Sequence, residues 1–157
     1  MSERSLERVL GRIPSGIFIL TVGTGDRATG MLASWVQQAG FAPPSITIAV
    51  QRDRYVCDWL TEGRPFVVNM LGDGQKEYLA HFGRGFKPGE AAFEGLPITY
   101  CARGVPILKD AIGHLECERQ EHIDSGDHRV FLAKVVRGRL AEDGSPMVHI
   151  RKSGAHY

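Results

Sequence analysis

Three cysteines in 157 residues, Cys57, Cys101 and Cys117, form an odd set without paired spacing. They read as reduced residues of a cytosolic protein and exclude a disulfide framework. No apolar run is long enough to span a bilayer. The longest lies around Gly16 to Val22, against the ~20 residues that a membrane helix needs. An excess of charge is also missing, with 19 basic residues against 18 acidic ones and a formal charge of +1. A nucleic-acid or anionic-membrane partner would favour a basic excess or cluster, so neither is expected. Residues 1–8 mix charges without an apolar core and do not form a signal peptide, which makes the cytoplasm the expected location. There is no Walker loop, no G-x-G-x-x-G after a strand and no G-x-S-x-G elbow. Repeats and linkers are absent too. One domain over residues 1–157 is expected, large enough to bury a core without staples.

Glycine and proline, at 19 and 8, are plentiful and scattered. Such punctuation suits short elements and a β-rich architecture. Leu6, Val9, Leu10 and Ile13 fall at helical spacing and predict a short helix before Pro14. Strands are expected over Gly16–Thr24, Ala28–Ala39, Ser45–Gln51 and Phe66–Leu71, with Pro43 and Pro44 breaking the chain between the second and third. Two further helices are expected, one on Tyr55, Val56, Trp59 and Leu60, the other over Gln75–Phe82. Residues 83–95 lack a clean period and read as a long loop. Strands resume at Pro97–Ala102, Ile112–Ile123 and Arg129–Leu140, followed by a turn, a short strand and a polar tail. The Arg129–Leu140 segment is apolar on both faces over part of its length. One face then belongs in a barrel interior, and the other against a subunit or a helix.

Three stretches can carry chemistry. In the first, Thr29, Gly30, Met31, Leu32, Ala33, Ser34 and Trp35 set small residues in a strand, where a planar ring can approach the backbone. The same residues also suit ordinary strand packing. In the second, Gln51, Arg52, Asp53 and Arg54 end a strand and open a helix. Two guanidinium groups there make a phosphate seat, although a solvated charged turn is the commoner meaning of such a cluster. In the third, His128 follows Gly126 and Asp127 at a hairpin, where it can meet a nicotinamide or simply face water. His114, Glu116, Glu118 and His122 share one strand face, but no second cluster has ligand spacing, so no metal site is expected. Cys57 and Cys117 sit in apolar patterns and read as core. Asn69 reads from spacing as a polar residue at a strand end.

The order of these pieces, more than any one of them, resembles the flavin reductase-like family of FMN-binding split β-barrels. The matching elements are the helix with Pro14, Ser15 and Gly16, the Thr29–Ser34 stretch, and the Pro43–Pro44 break before Ile46–Val50. Phe66–Leu71, then Gln75, Leu79, Ala80 and Phe82, and finally Gly126, Asp127 and His128 complete the match. Residues 34–44 and 151–157 are most similar to the flavin reductase domain at the C-terminus of cyanobacterial diflavin flavodiiron proteins. The resemblance implies a mainly β fold, a Greek-key split barrel with a few short helices. It further implies a homodimer with FMN near the interface and NADH or NADPH as electron donor. Thr29 to Trp35 would line the flavin ring, and Gln51, Arg52 and Arg54 would lie near the ribityl phosphate. His81, Phe82 and Arg84 would border the site. Ser34 would set the flavin's electronics, and His128 would position or polarise the nicotinamide. Flavodiiron and flavodoxin parts are missing from this sequence, so the acceptor, an electron-acceptor protein among the candidates, is expected to be a separate molecule. Two departures stand out: Trp35, where many relatives carry a smaller residue, and a short tail in which either His156 or Tyr157 is placed to cover the flavin. An FMN-binding electron carrier without NAD(P)H turnover, and a haem-handling split barrel with a histidine ligand, are the alternatives.

Overall fold

The computed structural model describes residues 2–141 and 143–157. Helix α1 (Glu3–Gly11) starts where the Ser2 hydroxyl accepts the Ser5 N–H, satisfying one of the first-turn donors. Strands β1 (Ser15–Gly16), β2 (Phe18–Val22), β3 (Thr29–Ala33), β4 (Val36–Phe41) and β5 (Pro44–Gln51) follow in succession. Helix α2 (Tyr55–Thr61), strand β6 (Phe66–Met70) and helix α3 (Lys76–Gly83) occupy the middle of the chain. Strands β7 (Ile98–Tyr100), β8 (Pro106–Leu108), β9 (Gly113–Ser125), β10 (His128–Leu140) and β11 (Val148–His149) complete it.

Seven strands pair antiparallel in the order β3-β2-β6-β9-β10-β5-β4. The two outermost strands, β3 and β4, are consecutive in sequence and separated only by Ser34 and Trp35. Such a connection is possible only if the sheet curls until its edges meet, so the strand order itself makes a barrel with a seam. The Ala49 N–H donates to the Trp35 carbonyl at 3.1 Å and holds the seam to β5.

Period-two alternation decides what each face buries. Phe18, Leu20 and Val22 of β2, Phe66 and Val68 of β6, Ile48 and Val50 of β5, and Phe131 and Ala133 of β10 fill the interior. Helix α2 adds Val56, Cys57 and Leu60 to that core. The opposite faces of β2 and β6 are buried as well. Ile19 and Leu71 pack under Tyr78 and Phe82 of α3, and Val67 packs against Val105 and Ile107. Fully burying an aromatic such as Phe82 stabilises the fold by about 1.5–3 kcal/mol. Buried polar groups on this face are paired. The Asn69 amide donates to the Ile19 carbonyl at 2.9 Å and accepts the Leu108 N–H at 2.9 Å, while the Thr21 hydroxyl donates to the Pro106 carbonyl at 2.6 Å. These bonds dock the short β7–β8 hairpin.

Several expected elements change shape for identifiable reasons. The strand expected over Gly16–Thr24 divides at Ile17, because Ser15 and Gly16 pair with His149 and Val148 instead of with β3. The strand expected over Ala28–Ala39 divides at Ser34–Trp35, because its halves serve opposite edges of the sheet. Pro43 lies at the turn of the β4–β5 hairpin and Pro44 begins β5, paired with Phe41. The outer face of β10 is not covered within one chain: Leu132 is 37% exposed and Val136 45%. None of the helices is long and apolar enough to cross a membrane.

Candidate flavin site

A cavity of ≈ 280 Å³ opens at the barrel seam. One wall is β3, with Met31, Leu32, Ala33 and Ser34, and the other is the end of β5, with Ala49, Val50 and Gln51. Leu79, Phe82 and Gly83 of α3 face it from a third side. Ile17, Met147, Val148, His149 and Tyr157 complete the lining. The residues that bring β3 close to α3 are small: a Cβ on Gly30 would meet Phe82 Cε1 at 2.7 Å. The walls are mostly apolar, with the Ser34 hydroxyl (9% exposed), the Gln51 amide and the Arg54 guanidinium among the few polar groups. Flat apolar walls with a few placed polar groups are what a planar heteroaromatic ring requires.

A second cavity of ≈ 250 Å³ adjoins the first and shares Met31 and Arg54 with it. Its other lining residues include Gly30, Asp53, Tyr55, Phe86 and Lys87. Arg54 stands just before α2, between the two spaces, and Lys87 supplies another cation. A third hollow, of ≈ 590 Å³, lies beyond Gln51 and is lined by Arg52, Asp53, Asp58, Gly126, Asp127 and Arg129.

His128 begins β10 opposite Gln51. Its turn has Gly126 at φ +64°, the left-handed backbone that opens a type II′ hairpin and that glycine adopts without steric penalty. The His128 Nδ1–H donates to Asp127 Oδ1 at 2.7 Å, and its Nε2 faces the Tyr157 hydroxyl at 2.9 Å. That pairing with His128 holds the exposed Asp127 carboxyl below its ordinary range. Trp35 packs at a tilt against His128 at 4.7 Å and against Tyr157 at 5.3 Å between centroids. Burial pushes the Tyr157 phenol up, with Arg151 and Arg54 opposing the rise.

The sequence-predicted residues therefore separate. Met31, Leu32, Ala33, Ser34, Gln51, Arg54 and Phe82 line the first cavity, and Gly30 lines the second. Trp35 and His128 form an aromatic cluster with Tyr157, which itself lines the first cavity. Thr29 is buried, its hydroxyl hydrogen-bonded to Tyr55 Oη at 2.9 Å. Arg52 turns away from the cavity: it donates to the Gly126 carbonyl at 3.1 Å and pairs with Asp124 at 3.7 Å. His81 donates to the Ala92 carbonyl at 2.7 Å, and Arg84 covers the Phe86 ring beside Glu90, so both brace residues 84–93. Sequence reasoning did not single out Lys87, Gly83 or Met147. Lys87 sat in the aperiodic stretch of residues 83–95, where length without a period was the signal. Cys57 and Cys117 are buried, and burial raises both thiols, Cys117 to about 12, so neither is a ready thiolate. Among the described residues no group of three or more His, Cys, Asp or Glu is placed to hold a metal ion.

Comparison with known proteins agrees with this geometry. The chain is 40% identical over 157 residues to diflavin flavoprotein A 1 of Synechocystis sp., covering 99% of this chain and 27% of that protein. It thus spans about a quarter of the length of the curated relatives that it matches. The NADH:FAD oxidoreductase SgcE6 of Streptomyces globisporus superposes with a TM-score of 0.84 at 29% identity, over 95% of this chain and 87% of that one. BorF, the flavin reductase component of a bacterial two-component tryptophan halogenase, superposes at 0.82 with 25% identity, over 94% and 93%. Residues 10–156 match the family model for the flavin reductase like domain. With a split barrel, an apolar cavity at its seam and a family match over nearly the whole chain, this protein belongs to the flavin reductase-like family.

Proposed function

We propose that the chain is an NAD(P)H:flavin oxidoreductase that binds FMN and passes electrons to a separate acceptor. The observation that carries this reading is two cavities that share Met31 and Arg54, one mostly apolar and suited to a ring, the other holding Arg54 and Lys87 beside Asp53. The residues present fit a flavin. Apolar walls at Met31, Leu32, Leu79 and Phe82 exclude water, and Ser34 offers a hydroxyl to ring heteroatoms. Arg54 and Lys87 match a dianionic phosphate. A bound flavin would supply the two-electron chemistry, taking electrons from a reduced nicotinamide.

The protein's own contribution is binding, orientation and exclusion of solvent. Ser34 and Gln51 orient the ring between β3 and β5. In neutral His128 the Nδ1 proton is committed to Asp127, which leaves Nε2 as an acceptor. A nicotinamide carboxamide has an N–H to give it. His128 is thus the residue that positions the electron donor. We also read the chain as a homodimer, because Leu132, Val136 and Leu140 leave apolar surface exposed along β10.

Arg54→Ala tests the phosphate assignment. Losing one charge-assisted contact, worth about 1.5–3 kcal/mol, should weaken FMN binding at least tenfold. Riboflavin, which has no phosphate, should bind the variant as it binds the wild type. Flavin fluorescence quenching measures both. An FMN affinity that does not change, or an equal loss for riboflavin, removes Arg54 from that role.

A further inference from the structure

The tail after β11 follows a defined path. The Arg151 N–H donates to the Gly11 carbonyl at 3.0 Å, and the Gly154 N–H donates to the Glu7 carbonyl at 2.6 Å. A Cβ on Gly154 would lie 2.2 Å from Leu10 Cβ, so the tail is seated on α1 where only glycine fits. Residues 155–157 follow this anchor. Tyr157 returns to the cavity, where its ring packs against Trp35 at a 42° tilt and its hydroxyl meets His128 Nε2. Yet Tyr157 is 63% exposed, so it is held by one hydrogen bond to His128 and by ring contacts with Trp35 and His128, with most of the residue in solvent.

The polarity of that hydrogen bond matters. The Asp127 carboxylate can only accept, so the His128 Nδ1 carries the proton at that contact. Nε2 of the neutral ring then accepts, and the Tyr157 hydroxyl donates. A nicotinamide carries the same two features in one group: a flat ring able to stack, and a carboxamide N–H able to donate. Tyr157 therefore presents to Trp35 and His128 what an incoming nicotinamide would present.

We propose that Tyr157 is a displaceable cap, a residue that sets nicotinamide affinity by occupying the nicotinamide's place against Trp35 and His128 until the dinucleotide enters. The inference rests on the flavin reductase reading and assigns the tail a role within that site. Displacing Tyr157 requires movement only on the far side of the Gly154 anchor, so opening leaves α1 and the barrel as they are. A closed-to-open ratio of about ten weakens apparent nicotinamide binding by about the same factor.

Two readouts test it. With the flavin site saturated, Tyr157→Phe removes the hydroxyl contact and should lower KM for the preferred nicotinamide about threefold. Tyr157→Ala removes the ring as well and should lower it about tenfold, with kcat changing less than KM. Independently of turnover, NAD+ quenching of Trp35 fluorescence, read in a Trp59→Phe background so that Trp35 is the one indole, should tighten in the same order. A KM and a quenching constant that stay the same or rise in both variants overturn the cap while leaving the reductase reading intact. A wild-type protein that binds no NAD+ and reduces no flavin with either nicotinamide overturns the reductase reading and the cap with it.

Discussion

At Gly30 the backbone is ordinary extended strand, so its importance is steric and comes from Phe82, which lies where a Cβ would go. Ile19 Cγ2 would be 3.4 Å away, and Phe82 is only 1% exposed, so its ring has little room to yield. Gly30→Ala should cost about 1–3 kcal/mol through overpacking, and it should weaken flavin binding because Phe82 also lines the cavity. A lower denaturation midpoint together with a raised flavin dissociation constant is the expected result, and a midpoint equal to wild type contradicts it. Residue-scale chemistry was legible where strand geometry governs direction. Met31 to Ser34 line the cavity, in the stretch that the resemblance assigned to a flavin ring. It was not legible across Arg52 and Arg54. These lie in a turn, where the Arg54 N–H donates to the Gln51 carbonyl at 3.2 Å. Strand alternation is lost there, and one guanidinium goes to the hairpin while the other faces the cavity.

Elements show the same division. Strands β2, β5 and β6 were legible because buried apolar runs bounded by turn residues leave few alternatives. Strand β8 was not, since three residues carry no period. Its place is set by distant groups, with the side chains of Asn69 and Thr21 gripping its backbone. Asn69 read from spacing as a polar strand end, and its partners lie 39 and 50 residues away in sequence. The two apolar faces of β10 were legible, and they lead to a prediction about assembly. Its inner face is spent on the core, and Leu132, Val136 and Leu140 remain exposed. If a second copy covers them, sedimentation should give twice the chain mass, and Leu132→Asp combined with Val136→Asp should halve it. A monomeric wild type contradicts the homodimer.

Across the whole molecule, the barrel follows from one topological fact, that the sheet's edge strands β3 and β4 are joined by two residues. The seam so formed brings β3, β5 and α3 around a single cavity, and residues from Ile17 to Tyr157 reach it. No local pattern encodes that convergence, which is why the order of elements along the chain carried more information than any motif. The tail shows the limit most clearly. His156 and Tyr157 were equal candidates in sequence, and only the docking of residues 151 and 154 on α1 directs Tyr157 to His128.

Whether flavin bound in this cavity is reduced by a nicotinamide decides what the protein does. An anaerobic absorbance titration of the purified protein with FMN, followed by NADH or NADPH, measures that directly. A bound-flavin spectrum that bleaches with one nicotinamide is the predicted result, and it names the electron donor. Bound FMN that neither nicotinamide bleaches would make the protein a carrier, and no flavin spectrum at all would contradict the site.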